Sequence, residues 1–274
     1  MTQQDLARAF HRLHTGPPLV LPTAWDAGSA RAIEAAGAPA VATTSAGVSW
    51  ARGYRDGQGL PFAEAVDAVQ AIVRAVGVPV SADIESGYGA GTPEAVAEAV
   101  GAVVDAGAVG VNVEDAPGRN GAPLLSPGEQ AARIAAARRA AVDRGVDVFI
   151  NARTDVYLAG AGAPEGRLDD VVRRAATYLE AGASGVFVPA VADAESIGKL
   201  ASAVRAPLNV MVGPGAPSVS ALAALGVARV SLGPSVALAA LALVQRATRE
   251  ALEAGTYGAL DGALPFADAD ALFA

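Results

Sequence analysis

The chain has 274 residues, 52% of them hydrophobic, with a net charge of −8; this is enough apolar material for a large core but lacks the clustered positive charge a phosphate backbone requires, so no nucleic-acid partner is expected. Cysteine is absent, Lys199 is the only lysine, and His11 and His14 are the only histidines, which excludes disulfides and thiolate chemistry and leaves acid–base work to Asp, Glu, Arg, Tyr, Ser, Thr or water. Apolar stretches are interrupted too often to span a bilayer and the polar N-terminus carries no secretory pattern, so a soluble cytoplasmic protein with no membrane partner is expected.

After an N-terminal helix near residues 5–14, short Val-rich runs alternate with longer helical patterns, the signature of parallel βα units. Strands are expected at residues 19–22, 40–43, 80–83, 110–114, 148–152, 185–189, 208–211 and 229–232. The helices between them are expected at 27–36, 61–76, 93–106, 127–143, 168–181, 194–203, 218–225 and 235–254. Thr92-Pro93-Glu94 and Ser126-Pro127 place a capping side chain before a proline in the first turn. Ala36-Gly37-Ala38, Ala106-Gly107-Ala108 and Ala181-Gly182-Ala183 put glycine just past a helix, where the backbone turns left-handed.

Eight such right-handed units close naturally into a (β/α)8 TIM barrel, so residues 1–274 are expected to form a single α/β domain, with a helix within 1–16 and a tail at 255–274. A doubly wound open sheet is the alternative, but no GxGxxG follows the first strand. The tail, with Leu264-Pro265-Phe266 and Leu272-Phe273, is expected to pack on a neighbouring subunit.

Barrel enzymes work at the C-terminal ends of their strands. The third and fourth strands end in Asp83, Glu85 and Glu114. Three acids at adjacent strand ends repel unless a cation or a shared proton neutralises them, so they are metal-ligand candidates for a hard ion such as Mg²⁺. Helix capping or pairing with Arg153 is the alternative. Arg153, ending the fifth strand, would hold a carboxylate and stabilise a developing enolate, or else pair with Asp155 or Glu114. Thr44, Ser45, Ala46 and Gly47 offer hydroxyls and amides to an anionic group, or form a plain turn. Asn209 ends the seventh strand, Trp25-Asp26 reads as packing plus a helix cap, and Asp56 and the Gly118-Arg119-Asn120-Gly121 segment lie in loops able to cover a substrate.

Taken together, Pro22-Thr23-Ala24-Trp25-Asp26-Ala27-Gly28-Ser29-Ala30, Thr43-Thr44-Ser45, Asp83-Ile84-Glu85-Ser86-Gly87-Tyr88-Gly89, Asn112-Val113-Glu114-Asp115 and Asn151-Ala152-Arg153-Thr154-Asp155 closely resemble the isocitrate lyase and phosphoenolpyruvate mutase superfamily. The resemblance implies a (β/α)8 barrel assembled as a dimer of dimers, with a C-terminal helix exchanged between paired subunits. It implies Mg²⁺, or Mn²⁺ in its place, bound with a 2-oxo or 2-hydroxy carboxylate substrate. Asp83, Glu85 and Glu114 would then serve the metal, some through water, while Asp83, Arg153 and the 44–47 turn hold the substrate. Asp56 falls where phosphonomutases carry a functional aspartate, and Asn120 matches a gating-loop asparagine.

The cysteine-bearing loop of isocitrate and methylisocitrate lyases is missing, and Arg119 stands nearest to the phosphonomutase loop lysine. The resemblance therefore narrows to oxaloacetate decarboxylase-like and unassigned members, and implies cleavage of a C–C bond of a small 2-oxo or 2-hydroxy di- or tricarboxylic acid through a metal-stabilised pyruvate enolate. A retro-aldol variant would need a base, for which Tyr54, Tyr88 or a carboxylate is available. Phosphonopyruvate or carboxyphosphonate P–C chemistry is one alternative, and a non-catalytic metabolite-binding barrel is another.

Overall fold

Among the described residues nine parallel strands make one sheet: β1 (Leu19–Leu21), β2 (Thr23–Ala24), β3 (Val41–Thr43), β4 (Val80–Asp83), β5 (Gly110–Glu114), β6 (Phe149–Arg153), β7 (Gly185–Val188), β8 (Leu208–Met211) and β9 (Arg229–Ser231). The computed structural model describes residues 1–89, 91–117 and 123–274; Arg119 and Asn120, for which loop roles are expected, lie outside the described residues. The strand order β1-β9-β8-β7-β6-β5-β4-β3-β2 starts and finishes on two pieces of one segment. The sheet thereby closes into the expected (β/α)8 barrel.

The split of the first strand has a local cause. Pro22 has no N–H to give a ladder, so β1 pairs with β9 before it and β2 pairs with β3 after it. The Pro22 carbonyl still accepts the Ala42 N–H at 3.0 Å. The fifth expected strand lies one residue later than anticipated, because the β6 register sets Phe149 opposite Gly110 and Arg153 opposite Glu114.

Eleven α-helices accompany the strands among the described residues: α1 (Gln3–Arg12), α2 (Ala27–Ala35), α3 (Ser45–Ala51), α4 (Phe62–Ala75), α5 (Pro93–Asp105), α6 (Pro127–Asp143), α7 (Arg167–Glu180), α8 (Ala194–Ala203), α9 (Val219–Ala224), α10 (Ser235–Glu253) and α11 (Phe266–Ala271). The capping signals hold: the Thr92 hydroxyl accepts the Ala95 N–H and the Ser126 hydroxyl accepts the Glu129 N–H, each at 3.2 Å. The helix α3 replaces the plain turn that was the alternative for residues 44–47, with Thr44 as its cap. None of these helices is long and apolar enough to cross a membrane.

The sheet's outward side chains, among them Val111, Val113, Ile150 and Ala152, pack against Ala99, Val100 and Val103 of α5 and Ile134 and Ala137 of α6. Full burial of each Val or Ile contributes about 1.5–3 kcal/mol, which anchors the helices on the barrel. Helix α1 plugs the N-terminal end of the strands: the Phe10 ring lies edge-on to Phe149 at 5.7 Å, and a Cβ on Gly110 would meet Phe10 at 2.6 Å. With one end plugged, chemistry is confined to the other.

Candidate active site

Side chains two residues apart on a strand face the same way, so Asn112 and Glu114 of β5 and Asn151 and Arg153 of β6 all point into the barrel. The register brings Asp83 beside Asn112, and Glu114 beside Arg153. Asp83 accepts the Ser45 hydroxyl at 2.9 Å and the Glu85 N–H at 3.1 Å. Its own N–H donates to the Thr43 hydroxyl at 2.8 Å, tying β3 to β4.

Glu85 is buried and held at φ 51°, a left-handed conformation that costs a side-chain-bearing residue about 1 kcal/mol or more. Its carboxylate accepts the Gln58 N–H at 2.6 Å and the Tyr88 hydroxyl at 3.4 Å. Burial, then the neighbouring Asp83 and Asp56 carboxylates, push it up to about 7. Glu114 is likewise pushed up by burial and by Asp155, Asp83 and Glu85, although Arg153 pulls the other way.

Arg153 reaches Glu114 at 2.9 Å and forks onto both oxygens of Asp155 at 2.6 and 2.9 Å. Burial alone would lower its pKa, but the attraction of Glu114 and Asp155 outweighs it and keeps the guanidinium charged. Asp155 is fixed in turn: its N–H donates to Asp115 at 2.9 Å. Asp115 is fully buried and is gripped by Arg174 at 3.0 Å and the Tyr178 hydroxyl at 2.7 Å. From α6, Arg133 donates to the Glu114 carbonyl at 3.1 Å and to the Ser86 carbonyl, bracing both acid-bearing loops.

A cavity of about 210 Å³ opens above these strands, lined among others by Thr44, Ser45, Ala46, Asp56, Asp83, Asn112, Arg153, Phe187, Pro189, Met211, Arg229 and Ser231. A second lobe of about 200 Å³ shares Ser45, Asp56 and Arg153 and adds Gln58, Glu85, Glu114 and Asp155. A larger concavity, about 760 Å³, is an apolar groove between α2 and the start of α10, lined by residues such as Ala32, Ile33 and Val236. Asp26 is the one titratable side chain in that groove among the described residues, so the chemistry belongs to the two smaller lobes.

Asp56, Asp83, Glu85, Glu114 and Asp155 outnumber Arg153 and Arg229 in these lobes, and oxygen donors with like-charge repulsion suit a hard divalent cation. Among the described residues no three acids close into a ligand set: Glu85 is turned to Gln58 and Tyr88, and Glu114 to Arg153. The donors still fit Mg²⁺, which commonly takes one or two carboxylates and keeps several waters.

Of the expected site residues, Thr44, Ser45, Ala46, Asp56, Asp83, Glu85, Glu114 and Arg153 line the two lobes. Gly47 does not; it is buried in the first turn of α3, where a Cβ would meet Thr44 at 2.7 Å and Trp25 at 3.0 Å. Tyr54 must be corrected. It follows α3 on the outer surface, is 37% exposed, and its hydroxyl donates to Glu64 at 3.2 Å, outside both lobes. Asn209 must be corrected too: it is buried below the cavity, donating to the Arg229 carbonyl at 3.2 Å and the Ser231 hydroxyl at 3.1 Å. Asp26 caps α2 by accepting the Ser29 N–H at 2.7 Å, as expected.

Sequence reasoning missed Asn112, Arg229, Ser231 and Gln58. The first three carried a usable signal, since strand alternation places Asn112 on the face of Glu114, and Arg229 on the face of Ser231. Gln58 carried none, because a loop of φ 59° geometry brings it to Glu85.

Residues 10–252 match the family described as phosphoenolpyruvate phosphomutase. An uncharacterized protein of Mycobacterium tuberculosis is 38% identical over 226 residues, covering 82% of this chain and 81% of that one. The 2-methylisocitrate lyase of Halalkalibacterium halodurans is 32% identical over 214 residues, 76% of this chain and 67% of the lyase. A crystal structure from Burkholderia cenocepacia J2315, provisionally assigned as a lyase/mutase, is similar with a TM-score of 0.92 and 40% identity, covering 99% of this chain and 96% of that one.

Proposed function

This chain belongs to the phosphoenolpyruvate mutase family, within the isocitrate lyase superfamily of Mg²⁺-dependent carbon–carbon lyases and phosphonomutases, and from that premise we propose that it is an oxaloacetate decarboxylase-like lyase of a small 2-oxo or 2-hydroxy di- or tricarboxylic acid. The observation behind this reading is the grouping of Asp83, Glu85, Glu114 and Arg153 around one pocket with the lone lysine and both histidines elsewhere. Asp83 would hold Mg²⁺ or Mn²⁺ directly, with Glu85 and Glu114 reaching it through water. When bound, the ion supplies Lewis-acid withdrawal of electrons from the 2-oxo and carboxylate head of the substrate.

The protein's own groups do the rest. The Thr44 and Ser45 hydroxyls face the substrate's head group from one side of the cavity. Arg153, oriented by its fork to Asp155, offers its remaining edge to the oxygen on which enolate charge develops. In decarboxylation the C3–C4 bond breaks, its electron pair passes into the enolate, carbon dioxide leaves, and a solvent proton returns to C3. No base is required to start this step, which suits a pocket without lysine, histidine or cysteine. Phe187, Pro189 and Met211 form the dry wall that keeps these charges effective.

The test is an assay of purified protein with oxaloacetate and related acids, with and without Mg²⁺. Turnover is expected with the metal and is expected to vanish with EDTA or in Asp83→Ala; activity surviving both treatments would sink the reading. Phosphonomutase chemistry is favoured by one observation, the presence of Asp56 in both lobes. Phosphorus NMR of phosphonopyruvate and phosphoenolpyruvate tests it, unchanged spectra counting against it.

The assembly read from the sequence is part of the same proposal. Helix α10 buries only Ala237 while Leu238, Leu241 and Val244 are 49%, 48% and 62% exposed. An apolar helix left this open, next to an apolar groove, suits exchange between paired copies in a homo-oligomer, a dimer of dimers.

A further inference from the structure

TIM-barrel interiors are usually filled by branched aliphatic side chains, yet here Arg229 projects from β9 into the middle of the barrel and is 1% exposed. Its guanidinium finds one side-chain acceptor among the described residues, Asn112 Oδ1 at 3.4 Å. Nε and Nη1 have no partner. The Phe10 ring closes the space below at 6.0 Å from its central carbon, and above it lies the 210 Å³ cavity that also holds Asp83 and Arg153. A buried charge without a counterion is costly, so folded proteins pair it or keep it for an anion they bind.

We propose that Arg229 is a substrate-binding residue: from the floor of the cavity it takes the second carboxylate of the substrate and makes the site select diacids over monoacids. This rests on the reading of the cavity as a site for small 2-oxo or 2-hydroxy acids. The head group of such an acid belongs at the rim with Ser45, Asp83 and Arg153. Arg229 lines the same cavity, of about 210 Å³, as Ser45, Asp83 and Arg153 of that rim. The Arg229 guanidinium, whose Nη2 makes one long bond to Asn112 and whose Nε and Nη1 have no partner among the described residues, then gains charge-assisted hydrogen bonding that the protein itself does not provide.

The test is calorimetric titration of the full-length protein, with Mg²⁺ present, with malate and with 2-hydroxybutyrate. These differ at the far end by a carboxylate in place of a methyl, and neither has the 2-oxo group that decarboxylation needs. The wild type is expected to prefer malate by about 30-fold, the worth of one charged hydrogen-bonded pair. Arg229→Met is expected to bring malate down to the level of 2-hydroxybutyrate, to leave the latter within about twofold, and to melt no lower than wild type without ligand, since an unpaired buried charge is replaced by an apolar side chain of similar volume. Arg229→Lys is expected to keep part of the preference. Equal, Mg²⁺-dependent binding of both acids to the wild type overturns the role of Arg229 and leaves the reading of the site standing. Binding of neither acid overturns the reading and the role together. Equal loss of both acids in Arg229→Met with a lower melting temperature makes Arg229 a structural brace and overturns the proposal.

Discussion

At the scale of single residues, the site is a hierarchy in which each charge is held by another. Tyr178 and Arg174 hold Asp115, Asp115 holds the Asp155 backbone, and Asp155 forks onto Arg153. A lysine cannot reproduce a two-point fork, so Arg153→Lys is expected to lower kcat by about 100-fold in steady-state assays; wild-type turnover in that variant would show the guanidinium to be dispensable. At the plugged end, His14 donates from Nδ1 to the Phe10 carbonyl at 2.8 Å and stacks on Phe149 at 3.8 Å. Its Nε2 is buried without a hydrogen-bond partner among the described residues, and burial together with nearby Arg229 pushes the imidazole down to about 3. The unfolded chain takes up this proton near pH 6.5 and the folded one only near 3. The His14 contribution to stability is therefore complete above pH 6.5 and falls by about 1.4 kcal/mol per unit as the pH drops through that window, whereas the raised Glu85 and Glu114 carboxyls act in the opposite sense. In thermal melts from pH 8 to 4 the wild type should lose stability relative to His14→Phe as the pH falls; parallel profiles for the two proteins would mean that His14 does not titrate on unfolding.

At the scale of elements, the helices whose starts carry Thr-Pro or Ser-Pro were readable, because a cap is a local hydrogen bond between residues three apart. Helix α3 was not readable. Its Ser-Ala-Gly opening has the composition of a turn; in the fold Thr44 caps it, and Gly47 sits where a Cβ would meet Thr44 and Trp25. Asp26 was legible as a cap, and the structure gives it that role and no place in the two lobes. Asp26→Ala is accordingly expected to cost about 1 kcal/mol in chemical denaturation while leaving kcat unaltered. A fall in kcat without loss of stability would return Asp26 to the chemistry.

At the scale of the whole molecule, the barrel's closure and its incompletely covered outside are two consequences of one chain path. The segment around Pro22 serves both edges of the sheet, so the strands close without a free edge. The last long helix, α10, finds no matching cover and leaves its leucines open to solvent. Leu241→Glu places a charge in that stripe and is expected to lower the mass seen by light scattering at micromolar concentration, with little change in secondary structure by circular dichroism. An unchanged mass would place any subunit contact elsewhere.

The sequence by itself determined the architecture and the chemical character of the site. Both reside in local patterns: Val-rich runs separated by capped helices make βα units, and Asp83, Glu85, Glu114 and Arg153 end strands that must be neighbours once the barrel closes. Only the tertiary structure decided which of those groups face the cavity and what each is paired with. Tyr54 and Asn209 looked eligible from position alone, but one is turned outward to Glu64 and the other is used up beneath the floor. Arg229 looked like an ordinary strand start, and becomes a buried cation only when β9 is set between β8 and β1. Pairing and burial are long-range properties, fixed by which side chains arrive from distant segments, and no run of neighbouring residues encodes them.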